Sequence, residues 1–270
     1  MITAPLDAVP LWVMFLAFGA FLWLAMEGGY RLGKWRRLRI SDEKEQQPVG
    51  AMVASILGLV ALVLGFTFSL AASRFDARRM AVLEESNAIG TTYLRARLLP
   101  EPQRSEIPRL LREYVAVRIR GIEEGKTEEA LARSEALHEL LWAQAAAAAE
   151  KDSGSIMTGV FIQSLNDVID LHAKRVLVGL RSRIPLVIWI GLFGLAMLGM
   201  AAVGYQAALC ATRRSPAMLG LVLAFAVVLL LIADLDRGQE GLMRISQHSM
   251  LDLQETIKSP TTDEHLEQRP

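Results

Sequence analysis

Four long apolar blocks alternate with polar segments along the chain. They occupy residues 8–26, 50–72, 184–209 and 217–233. Each block approaches the roughly 20 residues that a helix needs to cross about 30 Å of hydrocarbon. Because backbone amides find no water in lipid, each block is predicted to be a helix. The pattern therefore predicts an all-α integral membrane protein whose four transmembrane helices form two pairs within a lipid bilayer.

The segment between the second and third blocks has the 3.6-residue pattern of amphipathic helices. Turn signals at residues 100–102, 121–125 and 152–154 divide it into four helices. No breaker separates the first and fourth of these from spans two and three, so we expect both to continue those spans as long stalks, with Pro185 as a kink. The predicted parts are a first transmembrane pair with a polar connection (1–73), an amphipathic helical domain (74–183), a second transmembrane pair (184–233) and a polar tail (234–270).

Composition narrows the classes of function. Hydrophobic residues make up 52% of the chain and charged residues 21%, and the formal net charge is zero. A neutral chain without a stripe of Lys and Arg interleaved with aromatics is not expected to bind nucleic acid. The single cysteine, Cys210, has no partner for a disulfide. Walker, GxSxG, HExxH and Rossmann motifs are absent and the histidines are scattered, so we expect no catalytic residue, no metal site and no cofactor.

The distribution of basic residues leaves the orientation in the membrane open. The connection between the first two spans carries six Lys and Arg residues, and the last connection adds Arg213 and Arg214. The positive-inside rule would place these short connections in the cytoplasm and the middle domain outside. However, Arg74, Arg78 and Arg79 follow span two, and four basic residues precede span three. The basic residues on the two sides of the membrane are therefore nearly equal in number, and the rule does not decide between the two orientations.

Span two carries a stripe of small residues on one face. Members of the stripe recur at spacings of three and four, and they are Ala54, Gly58, Ala61, Gly65, Ser69 and Ser73. Such a stripe lets another helix approach closely in lipid. A helix of this kind is also suited to lining an axial pore. The sequence alone leaves both interpretations open.

Charged residues beside the spans have competing interpretations. A membrane-edge cluster of Arg74, Asp76, Arg78 and Arg79 either attracts ions at a pore mouth or anchors the helix at the lipid headgroups. Asp234 and Asp236 follow span four, and two carboxylates alone are more typical of a solvated helix end than of a cation site. A third group is expected to pair within the first stalk, and it comprises Glu84, Glu85, Asn87, Arg95 and Arg97.

Residues 64–79 read LGFTFSLAASRFDARR. This stretch resembles the part of bacterial bestrophins where a pore-lining helix leaves the membrane through a Gly-Phe pair and a Ser-x-Arg-aromatic-acidic-x-Arg cluster. More closely, nearly the whole chain resembles an uncharacterised bacterial family described as bestrophin-like. That resemblance rests on EGGYRLG (27–33), EESNAIGTTYLRARLLPEP (84–102), LLREYVAVR (110–118) and ADLDRGQEGLMRIS (233–246). Gly238 stands where this family usually has proline.

The resemblance implies a homopentameric ion channel in a cell membrane, the inner membrane if the source is bacterial. Span two would surround the axis and the middle domain would lie in the cytosol. We favour this side because the position of long domains follows the count of basic residues poorly. Bestrophin necks carry bulky apolar residues one turn apart that end at the Phe of the Gly-Phe pair. On this chain those positions are Gly58, Leu62 and Phe66, and Gly58 departs from the bulky pattern.

Two functional hypotheses follow from these observations. The first is a bestrophin-like channel or conductance pathway formed by a homo-oligomer. The second is a non-conducting sensory or interaction module whose helical bundle lies between membrane spans. A reporter fused near Glu124 separates them, because a sensory bundle should report from outside the cell and a bestrophin-type domain from the cytosol.

Overall fold

The computed structural model describes residues 9–39, 47–212, 215–237, 241–243 and 245–258. Every regular element in this part of the chain is helical. The α-helices are α1 (Leu11–Arg39), α2 (Gln47–Ala96), α3 (Gln103–Glu123), α4 (Thr127–Lys151), α5 (Ile156–Val176), α6 (Leu186–Leu209), α7 (Pro216–Asp236) and α8 (His248–Lys258). Helices α1, α2, α6 and α7 are long and apolar enough to cross a membrane. The predicted all-α fold with four spans is therefore confirmed. Arg213, Arg214 and Gly238 lie outside the described residues.

The two expected continuations of spans into the middle domain have different outcomes. Helix α2 runs unbroken through 50 residues, as predicted. The continuation of α5 into span three is wrong, because α5 gives way to a π-helical segment (Leu177–Arg181) and a non-helical stretch before α6. Pro185 is the N-cap of α6, with ψ of 140°. Since proline has no N–H and disfavours helical geometry in the residue before it, the chain breaks here rather than kinking.

The chain forms two compact units. The first comprises Met1–Asp76 and Ser182–Arg244, and the second comprises Ala77–Arg181 and Ile245–Pro270. The core of the first unit is built from the four spans, with Leu22, Val60, Leu192 and Leu229 fully buried. The core of the second unit contains the apolar faces that the sequence predicts on α3 and α5. Among its buried members are Ile107, Leu111, Tyr114, Phe161, Leu165 and Val168.

Close helix packing in the first unit occurs between α1 and α6. A Cβ atom on Gly29 would collide with the carbonyl of Ala201, and one on Gly204 would collide with the carbonyl of Met26. One turn after Gly29, a Cβ atom on Gly33 would also be too close to the backbone of α6. The motif EGGYRLG therefore supplies a small-xxx-small contact that lets the two backbones touch.

Candidate functional site

Helix α2 buries one face and exposes the opposite one in the first unit. The buried face recurs at helical spacing and consists of Val53, Val60, Leu64, Thr67 and Ala71. The three candidate pore-lining residues lie on the other side. Leu62 is 55% exposed and Phe66 is 69% exposed, and a Cβ atom on Gly58 would meet nothing within 4 Å. Two large apolar side chains and a glycine thus face away from the bundle.

The candidate packing residues of α2 share this exposed side. All of them are exposed, and they are Ala54, Ala61, Gly65, Ser69 and Ser73. A Cβ atom on Gly65 would meet nothing within 4 Å. The stripe therefore makes no close helix contact with the described part of its own chain, in contrast to the glycines of α1. The whole face is available to lipid or to another copy.

The charged cluster that follows the stripe is divided between different environments. Asp76 and Arg79 are exposed. Arg78 is buried in the second unit, where its Nε donates to the carbonyl of Val178 over 3.4 Å. Arg74 is half-buried in the first unit, and its Nη1 has no hydrogen-bond partner among the described residues. The structure thus gives Arg78 a structural contact and leaves Asp76 and Arg79 at the surface.

Asp234 and Asp236 are buried, so the expectation of a solvated helix end is wrong. The carboxylate of Asp234 accepts from the backbone N–H of Leu242 at 2.9 Å and of Met243 at 3.2 Å. Oδ1 of Asp236 accepts from the backbone N–H of Ile184 at 2.9 Å. Both buried carboxylates are therefore satisfied by backbone donors, as buried charged groups require. They secure the chain before α6 and after α7.

A buried polar cluster occupies the core of the second unit. Its centre is the fully buried carboxylate of Glu85 on α2. Oε1 of Glu85 accepts the hydroxyl proton of Tyr114 at 2.6 Å and lies 3.3 Å from Nε of Arg118. Arg175 on α5 forms an ion pair with Oε2 and also donates to the side chain of Gln247 over 2.9 Å. One carboxylate thus balances two buried guanidinium groups.

Two histidines complete this cluster. Nδ1 of His172 lies 2.9 Å from the hydroxyl oxygen of Tyr114, so the two side chains are hydrogen-bonded inside the core. The His138 ring packs edge-on against the His172 ring at 4.8 Å between centroids. Nε2 of His138 is buried with no hydrogen-bond partner in the described part of the chain. Among the described residues, no group of three or more His, Cys, Asp or Glu side chains is arranged to hold a metal ion.

The pairing predicted within the first stalk differs from the observed one. Glu84 pairs with Lys174 on α5 at 2.6 Å, and Arg95 donates to the carbonyl of Val160 over 3.1 Å. Glu85 turns inward instead. The sequence did contain a signal for a buried partner such as Glu85. Tyr114 and His172 lie on apolar helix faces, and polar groups on such faces need hydrogen-bond partners inside the core.

Burial and charge set the protonation states of this cluster. Burial raises the pKa of Glu85, but the nearby polar side chain of His172 and the charges of Arg175 and Arg118 outweigh this effect, so the net pKa lies well below the ordinary range. Burial, followed by the charge of Glu85, raises the pKa of Tyr114 well above its usual value. At neutral pH the cluster therefore contains an ionised Glu85 and a neutral Tyr114.

His138 is expected to make the second unit sensitive to acid. Burial, followed by the charge of His172, lowers the pKa of His138 from 6.5 to about 4. Between these two pKa values, the His138 imidazole binds a proton more readily in the unfolded chain than in the folded one. The free energy of unfolding therefore falls as pH decreases from 6.5 towards 4, by up to about 3 kcal/mol. The melting temperature of the detergent-purified protein should drop between pH 7 and pH 5.

The matched variant for this measurement is His138→Gln, whose side chain does not titrate. The groups that face His138 are Tyr114, His172, Glu85 and Arg118. Glu85 has a lowered pKa, so its stabilising contribution is lost only below pH 4.5, outside this window. The variant should lose less melting temperature between pH 7 and pH 5. Identical pH profiles for the two proteins would contradict the assignment.

Four spans with a helical unit between them define a multi-pass, all-α membrane protein. The family model described as the bestrophin-like domain matches residues 19–250 of the 270. The chain therefore belongs to the bestrophin-like family, which confirms the resemblance carried by its motifs. No curated protein and no solved structure matches it.

Proposed function

We propose that this chain forms a homo-oligomeric ion-conducting pathway, pentameric by its resemblance to bestrophins, with α2 around the axis and the second unit in the cytosol. The observation that carries the proposal is the exposed face of α2. Leu62 and Phe66 lie on it, opposite the face that packs on the other spans. Family membership supports the same function, because the bestrophin-like family is associated with channels.

The spacing of the exposed residues suits a narrow apolar constriction. Gly58, Leu62 and Phe66 are each four positions apart, so they lie about 6 Å apart along the helix axis. Repeated around an axis, Leu62 and Phe66 would form two apolar rings that restrict ions by excluding water. A ring at Gly58 would be wider. The narrowest part of the proposed pathway is therefore at Leu62 and Phe66.

The small residues beside these rings favour assembly of α2 helices from several copies. Gly65, Ser69 and Ser73 are exposed, and such small residues allow close approach of another helix in lipid. Asp76 and Arg79 follow within two turns and remain exposed. In the oligomer we assign them to the pore mouth, where charges raise the local concentration of ions.

Replacement of Phe66 is the direct test of conduction. The purified protein in planar bilayers should pass ions, and Phe66→Ala should increase the current several-fold because a smaller side chain widens and wets the constriction. Phe68→Ala is the matched control. Phe68 is also an exposed phenylalanine, but two positions along a helix turn it about 160° away from Phe66.

The control should leave the current within about twofold of the wild-type value, since Phe68 faces away from the proposed axis. Silent bilayers containing a folded oligomer would contradict conduction. Particle images that show only a monomer or a dimer would contradict the assembly, because neither gives α2 an axis to surround.

A further inference from the structure

An apolar groove of about 580 Å³ lies between α1 and α6 in the first unit. Six of the residues that line it are Ala25, Gly28, Gly29, Leu32, Gly194 and Ala201. Its floor is closed where the backbone of Gly29 touches that of Ala201. Its walls are open, because a Cβ atom on Gly28 or on Gly194 would meet nothing within 4 Å. Because glycines carry no side chain, they leave an apolar space on a membrane-spanning surface.

The α1 wall of the groove leads to an aromatic and cationic end. Gly28, Leu32, Trp35 and Arg39 follow one another at spacings of three and four, which places them on one helix face. Trp35 is 53% exposed, and the guanidinium of Arg39 lies 4.0 Å from the centroid of its ring. Tryptophan is enriched where hydrocarbon meets the headgroups. The groove therefore ends one helical turn before a residue suited to the membrane interface.

A second cation lies beside the groove itself. Arg31 is one turn after Gly28, and its side chain is 78% exposed although it pairs with Glu27 at 2.8 Å. The neighbouring helix is still apolar at this level, because α6 reaches its first polar residue at Tyr205, next to Gly33. An exposed arginine at this depth draws an anionic headgroup towards it.

We propose that this groove binds an acyl chain of an anionic phospholipid, with the glycerol region against Trp35 and the phosphate among the basic residues of this part of α1. The charge of the α1 end selects this occupant over a helix from another copy. Five exposed basic residues lie there, and they are Arg31, Lys34, Arg36, Arg37 and Arg39. A second copy with the same orientation in the membrane would place its own basic residues at the same depth, which adds positive charge, whereas an anionic lipid compensates these residues.

Native mass spectrometry of the detergent-purified full chain tests this site, using phosphatidylglycerol and phosphatidylcholine with identical acyl chains. The wild-type protein should bind phosphatidylglycerol about tenfold more tightly than phosphatidylcholine, the preference expected of one or two cations near the headgroup. Gly28→Leu should reduce phosphatidylglycerol binding about tenfold because the new side chain fills the groove. Arg31→Gln should reduce the preference between the two lipids while retaining binding to the groove.

Gly19→Leu is the matched control for the groove. Gly19 is also on α1 with nothing within 4 Å of a Cβ atom, and it does not line the groove. The Gly19→Leu variant should bind both lipids as the wild-type protein does. If Gly28→Leu fails to fold, Gly194→Leu on the opposite wall should reduce phosphatidylglycerol binding by the same factor.

Three results would overturn the lipid site. One is wild-type phosphatidylglycerol binding by the Gly28→Leu and Gly194→Leu variants, and another is equal affinity of the wild-type protein for the two lipids. The third is a change of oligomer size in Gly28→Leu with unchanged lipid binding, which would assign the groove to a second copy. The readout is lipid binding rather than current, so failure here is distinct from failure of conduction.

Discussion

Replacing Glu85 by alanine is expected to destabilise the second unit by about 3–5 kcal/mol, the range for removing one partner of a buried ion pair. The carboxylate is fully buried between Arg118 and Arg175, and it accepts the hydroxyl proton of Tyr114. Without it, two guanidinium groups and a phenol lose their acceptor inside the core. A large fall in melting temperature of the detergent-purified protein should result.

The neighbouring residue provides the control for this experiment. Glu84 pairs with Lys174 at 2.6 Å, but both side chains are more than one third exposed. An exposed pair contributes less than about 1 kcal/mol, so Glu84→Ala should change the melting temperature little. Equal shifts for the two variants would show that the cluster around Glu85 does not hold the second unit together.

Placing a leucine at Gly29 is expected to disrupt the contact between α1 and α6. The added atoms would meet the backbone carbonyl of Ala201, which cannot move as a side chain does. Overpacking costs about 1–3 kcal/mol where side chains can adjust, and we expect the upper end or more at a backbone contact. The melting temperature and the yield of folded protein should both fall.

Gly28→Leu is the natural comparison for this second experiment. Gly28 precedes Gly29 on the same helix, and a Cβ atom there would meet nothing within 4 Å. The two variants add the same side chain to adjacent positions, so they differ only in what that side chain meets. If Gly29→Leu were as stable as Gly28→Leu, the close approach of the two backbones would be refuted.

The sequence predicted the elements of this fold well because their signals are local. Hydropathy located all four spans, and helical periodicity predicted amphipathic helices in the second unit, where α3 and α5 bury Tyr114 and Phe161. The break before α6 was missed because a proline at a helix start and a proline at a kink have the same sequence signal. Only the non-helical geometry around Pro185 distinguishes them.

Interactions between distant residues were harder to predict. Asp236 follows a span, which suggests solvent, but its partner is the backbone N–H of Ile184, 52 positions earlier. Glu85 similarly draws partners from α3 and α5. The small residues of α2 and of α1 have the same pattern, although Gly29 packs against another helix and Gly58 does not. Sequence periodicity identifies a helix face but not its neighbour.

Access of water to Phe66 tests the proposed pathway most directly. The measurement places a cysteine at this position in a Cys210→Ser background, since Cys210 is exposed, and follows the bilayer current while a water-soluble thiol reagent is added. Thiols react as thiolates, which form in water and not in lipid. The reagent should reduce the current through Phe66→Cys and leave the current through Phe68→Cys unchanged. Equal responses of the two variants, or none, would contradict the proposed pathway.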